Sequence, residues 1–324
     1  MGHTLPSRVI GVAASAGGVE ALRTVVSALP ADFDAAVCIV LHIPPTGRSL
    51  LAPILDRDTV LSAVVAEHGM ALWPGSIYVA PADHHLLVRE DRVELSRGPK
   101  ENGSRPAADP LFRSIARAWG ERGAAVVLSG ALDDGAAGAV AVKLGGGEVL
   151  VQHPEDALVP GMPSAALAAT TPDAVLPIRA LADRLAATRV EVETEETPES
   201  PEPDPAEVLD GPIRPEGPAT GFTCPECSGA LWELREGELV RYRGRVGHAY
   251  SEEARVEAQG SSVEAALWTA LEVLEERAEL LQRLAGRATT HQRTRTSFAA
   301  GAREAAERAA IIRRVLAAEH EPAA

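Results

Sequence analysis

Apolar runs alternate with amphipathic segments from Arg8 to about Leu185. Four of the runs are apolar enough to be strands buried on both faces, and they span 9–14, 35–41, 124–128 and 148–152. The intervening segments predict helices near 50–61, 111–119, 136–144 and 163–169. Strand–helix alternation of this kind predicts a doubly wound α/β domain, in which a mostly parallel sheet has helices on both faces.

The stretches 73–81 and 83–88 combine a Pro-Gly turn with short apolar runs. This pattern predicts paired strands, which we expect at a sheet edge. His84 and His85 are adjacent there, and neighbouring residues on a strand face opposite sides. A role in a turn or at a substrate rim is therefore favoured over a metal site.

The composition changes after about Val190. The stretch up to Pro205 is acidic, rich in proline and nearly free of large apolar side chains, which predicts a disordered, extended linker. Beyond a short cysteine-containing segment, apolar residues recur at helical spacing, with a polar break at 289–297, and predict a hairpin of two helices. We predict four parts, which are an α/β domain at 1–189, a linker at 190–220, a small Cys/His module at 221–260 and a helical tail at 261–324.

Charge and cysteine usage narrow the class of protein. The formal net charge of −15 argues against a nucleic-acid surface and against adsorption to anionic membranes. No apolar stretch is long enough for a transmembrane helix, and no signal-peptide pattern opens the chain. The three cysteines, Cys38, Cys224 and Cys227, cannot form a disulfide framework and fit a reducing compartment. We therefore predict a cytoplasmic protein without direct membrane insertion.

The first predicted strand ends at Ser15-Ala16-Gly17-Gly18, and helix-forming residues follow. A strand, a glycine-rich turn and a helix place unpaired backbone N–H groups beside Ser15. Such a turn can bind phosphate, and it can equally present a serine nucleophile next to an oxyanion site. On these residues alone, phosphate binding is the favoured interpretation.

Three polar residues lie just past apolar strands, namely Ser15, His42 and Asp134. The carboxyl ends of parallel strands form the ligand-binding edge of an α/β sheet, so adjacent strands would bring these residues together. A hydroxyl, an imidazole and a carboxylate are the parts of an acyl-transfer triad. Each residue also has an ordinary interpretation in a turn or helix cap, but the coincidence of all three favours the triad.

The segment from Arg8 to Leu185 resembles the bacterial chemotaxis protein-glutamate methylesterases, the CheB-type catalytic domains. The resemblance is carried by several blocks in the same order, which are 10–18, 41–44, 74–85, 105–112, 128–138 and 161–166. It implies that Ser15 is the nucleophile, His42 the general base and Asp134 the orienting carboxylate. It also implies an oxyanion site built from backbone N–H groups at Ala16 and Ala131, although the family often has Thr or Ser, and Met, at these two positions.

The resemblance predicts the activity as well. Members of the family hydrolyse glutamate methyl esters on chemoreceptors, and some deamidate glutamine, without a catalytic cofactor. Only residues 1–8 precede the first strand, so we expect a stand-alone form without the receiver domain of the best-known members, and its regulation stays open. Two alternatives stay open beside this hypothesis. One is a non-enzymatic scaffold on the same fold. The other is a phosphate- or nucleotide-binding protein, which is disfavoured because no lysine follows the glycine pair.

A CxxC knuckle lies in the C-terminal part of the chain, at Cys224 and Cys227, and His248 follows at zinc-ligand spacing. The module resembles a C-terminal segment of some stand-alone methylesterases, in which a third cysteine is expected where this chain has Gly244. Three ligands are one short of a closed structural zinc site, so bound zinc with a further ligand and a site without metal both stay open. The tail is interpreted as a packing element or a dimer contact.

Overall fold

The computed structural model describes residues 5–46, 49–187, 217–236, 239–287 and 292–318. These residues form two compact units, Met1–Arg255 and Val256–Ala324. The greater part of the predicted linker, 190–216, lies outside the described residues, and the four-part division of the chain stays a prediction. Within the described residues, no helix is long and apolar enough to cross a membrane. The cytoplasmic localisation likewise stays a prediction.

The main sheet of the first unit has seven strands, all paired in parallel, in the order β3-β4-β2-β1-β7-β8-β9. Its strands are β1 (Arg8–Ala14), β2 (Ala35–Leu41), β3 (Ser62–Val65), β4 (Ser76–Val79), β7 (Gly123–Val127), β8 (Glu148–Gln152) and β9 (Ala174–Leu176). The chain builds outward from β1 in one direction and then returns to its other side with β7. The crevice beside β1 is therefore the topological switch point at which α/β proteins bind ligands.

Helices cover both faces of this sheet, as the pattern predicts. They are α1 (Gly18–Ala28), α2 (Leu51–Asp58), α3 (Ala108–Trp119), α4 (Ala136–Leu144), α5 (Gly161–Ala169) and α6 (Ile178–Ala187). Successive β1 residues face opposite layers, so Ile10 and Val12 pack with α1, α2 and α6 while Val9 and Ala13 pack with α3, α4 and α5. The prediction of a doubly wound, mostly parallel α/β fold is confirmed.

The expected pairing of the stretches 73–81 and 83–88 is wrong. β4 lies inside the main sheet between β2 and β3, whereas β5 (His85–Arg89) pairs only with β6 (Arg92–Ser96) in an antiparallel hairpin. Both stretches are short and apolar, and such runs do not reveal which neighbour they join. The hairpin packs through Leu86, Val88 and Val93 onto the layer that contains α3.

The Cys/His module forms a four-stranded antiparallel sheet in the first unit. Its strands are β10 (Ala219–Thr223), β11 (Ala230–Glu236), β12 (Leu239–Gly244) and β13 (Ala249–Ser251). Glu101 bridges to Ala249 in parallel, and the Asn102 N–H donates to the Ala249 carbonyl oxygen at 2.8 Å. The module is therefore joined to the α/β domain by backbone pairing as well as by side chains.

Two long helices, α7 (Glu252–Arg287) and α8 (Gln292–Ala318), follow the module. Leu271 is buried against Ala309 and Leu316 within the second unit, which confirms the predicted hairpin. The helix α8 begins at Gln292 rather than at Phe298, because the polar residues there lie on the solvent side of a helix rather than breaking it. Pairing of two tails stays a prediction.

Candidate active site

Ser15 lies directly after β1, where the chain leaves the sheet and enters α1. Its N–H donates to the Ser129 carbonyl oxygen at 2.9 Å, and its own carbonyl oxygen accepts the Gly18 N–H at 2.9 Å. Gly17 between them is in the left-handed conformation with φ of 74°, and a side chain there would overlap Leu158. The glycine therefore lets the chain turn sharply and present a partly exposed serine at the start of a helix.

The loop after β7 packs directly against Ser15. A Cβ at Gly130 would overlap Met162 and come within 2.9 Å of the Ser15 Cβ, so only glycine lets this backbone approach so closely. Ser129 secures the contact, because its hydroxyl donates to the Ala16 carbonyl oxygen at 2.8 Å and accepts the Val159 N–H at 3.0 Å. The sequence alone gives Ser129 no such role, because the residue only follows an apolar run.

The backbone amides predicted to form an oxyanion site lie on the two segments that meet here. Ala16 follows Ser15, Ala131 follows Gly130, and both residues are exposed. No acceptor among the described residues takes a hydrogen bond from either amide N–H. These two amides are therefore available to an oxygen that develops negative charge next to Ser15.

His42 follows β2 and is joined to Asp134 by a short hydrogen bond. The His42 N–H donates to the Ala14 carbonyl oxygen at 3.2 Å, which holds the histidine beside the end of β1. Its Nε2 lies 2.6 Å from Asp134 Oδ2. Since Nε2 faces the carboxylate, Nδ1 is the nitrogen left to accept a proton. Between the described side chains of Ser15 and His42 there is no hydrogen bond, a contact that commonly tightens only when substrate binds.

Asp134 is fully buried and accepts hydrogen bonds at both carboxylate oxygens. Oδ2 accepts the Ala108 N–H at 2.6 Å in addition to His42, and Oδ1 accepts the Asp109 N–H at 3.2 Å. Burial by itself would raise the pKa of Asp134, but the bonds from His42 and from these amides lower the pKa below its ordinary value. The carboxylate is therefore charged and fixed at the start of α3.

Asp109 occupies the adjacent buried position and supports the loop that contains Asp134. Its Oδ1 accepts the N–H groups of Gly135 at 3.0 Å and Gly138 at 2.7 Å, at the N-terminus of α4. Burial raises the pKa of Asp109 to about 7, while the nearby Arg241 charge opposes that rise. The sequence alone gives Asp109 no such role, since its partners lie far away along the chain.

His85 is fully buried against the segment that precedes α3, which overturns its expected place in a turn or at a substrate rim. Its Nε2 lies 2.9 Å from the Pro99 carbonyl oxygen, and its Nδ1 accepts the Ala107 N–H at 3.3 Å. Burial lowers the pKa of His85, although the Pro99 carbonyl oxygen opposes this effect. The neutral imidazole thus fixes the residue next to Ala108, whose N–H binds Asp134.

This buried histidine predicts acid sensitivity. Below the ordinary histidine pKa of about 6.5, the unfolded chain binds a proton at this histidine that the folded chain does not bind. The free energy of unfolding is therefore retained above about pH 6.5, and below it falls by at most ~1.4 kcal/mol per pH unit for this one proton. We expect His85→Gln to flatten this fall between pH 6.5 and pH 5, measured as the free energy of unfolding in urea. His84→Gln is the matched control, because it removes the adjacent imidazole, which is only partly buried. Parallel curves for wild type and His85→Gln would contradict the assignment.

The predicted metal ligands come together in the module. Ligand atoms of Cys224, Cys227 and His248 all lie within 4.8 Å of one another, and Cys224 Sγ lies 3.5 Å from His248 Nδ1. Tetrahedral zinc, with its usual bond lengths to sulfur and nitrogen, separates two such ligands by about 3.6 Å. On the other side of the ring, His248 Nε2 lies 3.5 Å from Glu226 Oε2, the carboxylate contact that commonly orients a zinc-binding histidine. The donor set therefore fits zinc.

Cys38 is separate from this cluster. It is fully buried in β2, and burial raises the pKa of its thiol to about 12. Cys38 is therefore a small core residue, and such a thiol is unreactive.

A hydroxyl, an imidazole and a buried carboxylate at the switch point of a parallel sheet are the side-chain set of an α/β serine hydrolase. The CheB methylesterase family model matches residues 10–185, and the chain belongs to this family. The same fold occurs in the crystal structure of the Thermotoga maritima CheB methylesterase catalytic domain. That structure is 33% identical, with a TM-score of 0.53, and the match covers 55% of this chain and 97% of that chain.

Several relatives carry the name protein-glutamate methylesterase/protein-glutamine glutaminase. The Methanosarcina mazei protein is 39% identical over 185 residues, which cover 55% of this chain and 50% of the relative. The Caulobacter vibrioides protein is 40% identical over 178 residues, covering 53% and 51%. The Anaeromyxobacter dehalogenans protein is 42% identical over 181 residues, covering 55% and 53%. The chain thus spans about half the length of the curated relatives it matches.

Proposed function

We propose that this chain is a serine carboxylic-ester hydrolase that demethylates glutamate methyl esters on chemoreceptor proteins and deamidates glutamine there. Ser15 is the nucleophile, His42 the general base and Asp134 the carboxylate that orients His42. The names of the relatives support both reactions. The observation that carries the proposal is the 2.6 Å contact between His42 and Asp134 at the same sheet edge as Ser15.

The geometry supports a two-step acyl transfer. Ser15 Oγ attacks the ester carbonyl carbon as its proton passes to His42 Nδ1, and the amides of Ala16 and Ala131 bind the resulting oxyanion. Collapse of this intermediate breaks the bond to the methoxy group, which leaves as methanol with the proton from His42. Water then attacks the acyl-enzyme, His42 accepts its proton and returns it to Ser15, and the free glutamate side chain is released. With glutamine, ammonia leaves in place of methanol.

Release of methanol from a methylated chemoreceptor by the purified chain tests this proposal. We expect one methanol for each glutamate carboxylate that forms. Receptor binding without methanol release would overturn the proposal in favour of the scaffold alternative. Tight nucleotide binding without esterase activity would overturn it in favour of the phosphate-binding alternative.

We also propose that the module binds one structural zinc ion through Cys224, Cys227 and His248. Zinc at this position joins the knuckle between β10 and β11 to the turn before β13, and water or a further group completes the tetrahedron. No catalytic step involves this ion, because the proposed triad needs no metal.

Metal content tests the zinc proposal. We expect about one zinc ion per purified chain, and its loss in Cys224→Ser, because two ligands do not hold a structural site. Cys38→Ala removes a thiol that is not part of the cluster and is expected to retain zinc, as measured by elemental analysis. Equal zinc content in Cys224→Ser and Cys38→Ala, or no metal in the wild-type chain, would refute the proposal.

A further inference from the structure

A buried polar network connects the Cys/His module to Asp134, and Asn102 is its central residue. We propose that Asn102 is a positioning residue that fixes the Asp134 carboxylate, and that strand β13 of the module holds Asn102 in the required orientation. This inference rests on the proposed function, in which Asp134 orients His42.

The side-chain amide of Asn102 bridges two buried carboxylates. Its Nδ2 donates to Asp134 Oδ1 at 3.1 Å and to Asp109 Oδ2 at 3.1 Å. A planar NH₂ group has two hydrogens, so each carboxylate receives one. Asn102 therefore sets the rotation of the Asp134 carboxylate about its own axis, and with it the direction of the oxygen that faces His42.

The module fixes this amide from the opposite side. Asn102 Oδ1 accepts the Ser251 N–H at 3.2 Å, and the Asn102 N–H donates to the Ala249 carbonyl oxygen at 2.8 Å. Both partners lie in β13. Asn102 also has a positive φ of 49°, a conformation that asparagine adopts more readily than most residues. All hydrogen-bonding groups of its side chain are thus used, and the amide cannot flip without losing several of them.

Charge pairing attaches the module at this position. Glu101, next to Asn102, is buried and pairs with Arg113 of α3 at 2.6 Å, with Arg241 at 3.0 Å and with Arg243 at 3.6 Å. Burial would raise the pKa of Glu101, but these three guanidinium groups hold the pKa well below its usual range. Arg241 also lies 3.3 Å from Asp109 Oδ2.

The two module arginines reach the same site because of strand geometry. Arg241 and Arg243 are two residues apart on β12, so they face the same side of the sheet. Both are buried, and a buried carboxylate that loses its cationic partner is strongly disfavoured. The module is therefore held against the α/β domain, with β13 next to Asn102.

Loss of the Asn102 amide leaves Asp134 Oδ1 with the Asp109 N–H alone. The carboxylate then reorients, and His42 is no longer held in one direction toward Ser15. A misplacement on the scale of 1 Å can lower a rate roughly 100-fold, so we expect kcat to fall by roughly 10- to 100-fold. KM stays unchanged, because Asn102 is buried and acts only through Asp134.

Variants of the full-length chain test this inference. Asn102→Gly keeps the backbone conformation without the side chain, and Asn102→Asp keeps the shape without the NH₂ donor. On the module side, Ser251→Pro removes the N–H that donates to Asn102 Oδ1. Ser251→Ala keeps that N–H and is the matched control. The measurements are kcat and KM for methanol release from methylated receptor, the rate at which a fluorophosphonate labels Ser15, and thermal unfolding. Counting labelled Ser15 corrects kcat for any unfolded chain.

We expect both Asn102 variants and Ser251→Pro to lose kcat and labelling rate together at unchanged KM, while Ser251→Ala keeps the wild-type values. Wild-type kcat per labelled site in Asn102→Gly, with a lower melting temperature, would show a merely structural role and overturn the proposal. If neither Asn102 variant folds, the comparison of Ser251→Pro with Ser251→Ala tests the proposal. Equal kcat in these two variants overturns it. Ser15→Ala, measured beside them, separates the outcomes, because its retained activity would refute the proposed function itself.

Discussion

Replacing Ser15 with alanine is expected to lower kcat for methanol release on the order of a millionfold, because the triad acts as a unit and no other group supplies the nucleophile. The fold should be unaffected, since Ser15 is partly exposed and the turn depends on backbone hydrogen bonds. The measurement is methanol released from a methylated receptor at saturating substrate.

Ser27→Ala is the matched control for this experiment. Ser27 is exposed on α1, and its hydroxyl donates only within the helix, to the Thr24 carbonyl oxygen at 3.0 Å. The same chemical change there should leave kcat and KM at their wild-type values. If Ser15→Ala and Ser27→Ala release methanol at the same rate, Ser15 is not the nucleophile.

The second large effect is expected for Asp134→Asn, in which kcat should fall by about 10⁴-fold. The neutral amide cannot stabilise the imidazolium that forms as His42 accepts the Ser15 proton. Its NH₂ group replaces one of the two oxygens, so it meets either the Ala108 N–H or the Asp109 N–H and Asn102 Nδ2 donors, and buried hydrogen bonds are lost. We expect a cost of about 1–3 kcal/mol in the free energy of unfolding. The two effects are measured separately, by methanol release and by urea unfolding.

Asp133→Asn provides the neighbouring control. Asp133 precedes Asp134, but the carboxylate hydrogen-bonded to His42 is that of Asp134, and burial raises the pKa of the Asp133 carboxyl group. Neutralising Asp133 should therefore leave kcat unchanged and should not destabilise the fold. A larger loss of kcat in Asp133→Asn than in Asp134→Asn would show that the wrong aspartate has been assigned to the triad.

The main sheet and the three proposed catalytic residues could be predicted because each depends on local sequence. Continuous apolar runs mark strands buried on both faces, and the polar residue that ends each run must lie at one sheet edge when the strands are parallel. Ser15 and His42 are found by this rule, whereas Asp134 lies five residues beyond the polar residue that ends its run and is singled out from Asp133 by the resemblance to the CheB-type domains. The pairing of β4 with β2 and β3 could not be found, because a four-residue strand does not specify its neighbours.

The surroundings of Asp134 could not be predicted, because they depend on long-range contacts between ordinary residues. Asn102 precedes a glycine, a pattern that indicates a turn, and Arg241 and Arg243 lie in a short strand with no catalytic motif. The one available signal was their alternation, which places two arginines on one face of β12. A buried position for that face follows only from its docking against Glu101, 140 residues earlier in the chain.

The distance along the chain between Asn102 and its partners has a consequence for biosynthesis. Ser251 is 149 residues after Asn102, so at ribosomal rates of about 5–20 residues per second it is synthesised roughly 7–30 s later. The central sheet, with Ser15 and His42, can fold on the ribosome before Ser251 exists. If Asn102 fixes Asp134 only when β13 holds it, as we propose, a nascent chain acquires full esterase activity only after the module has been translated and has docked.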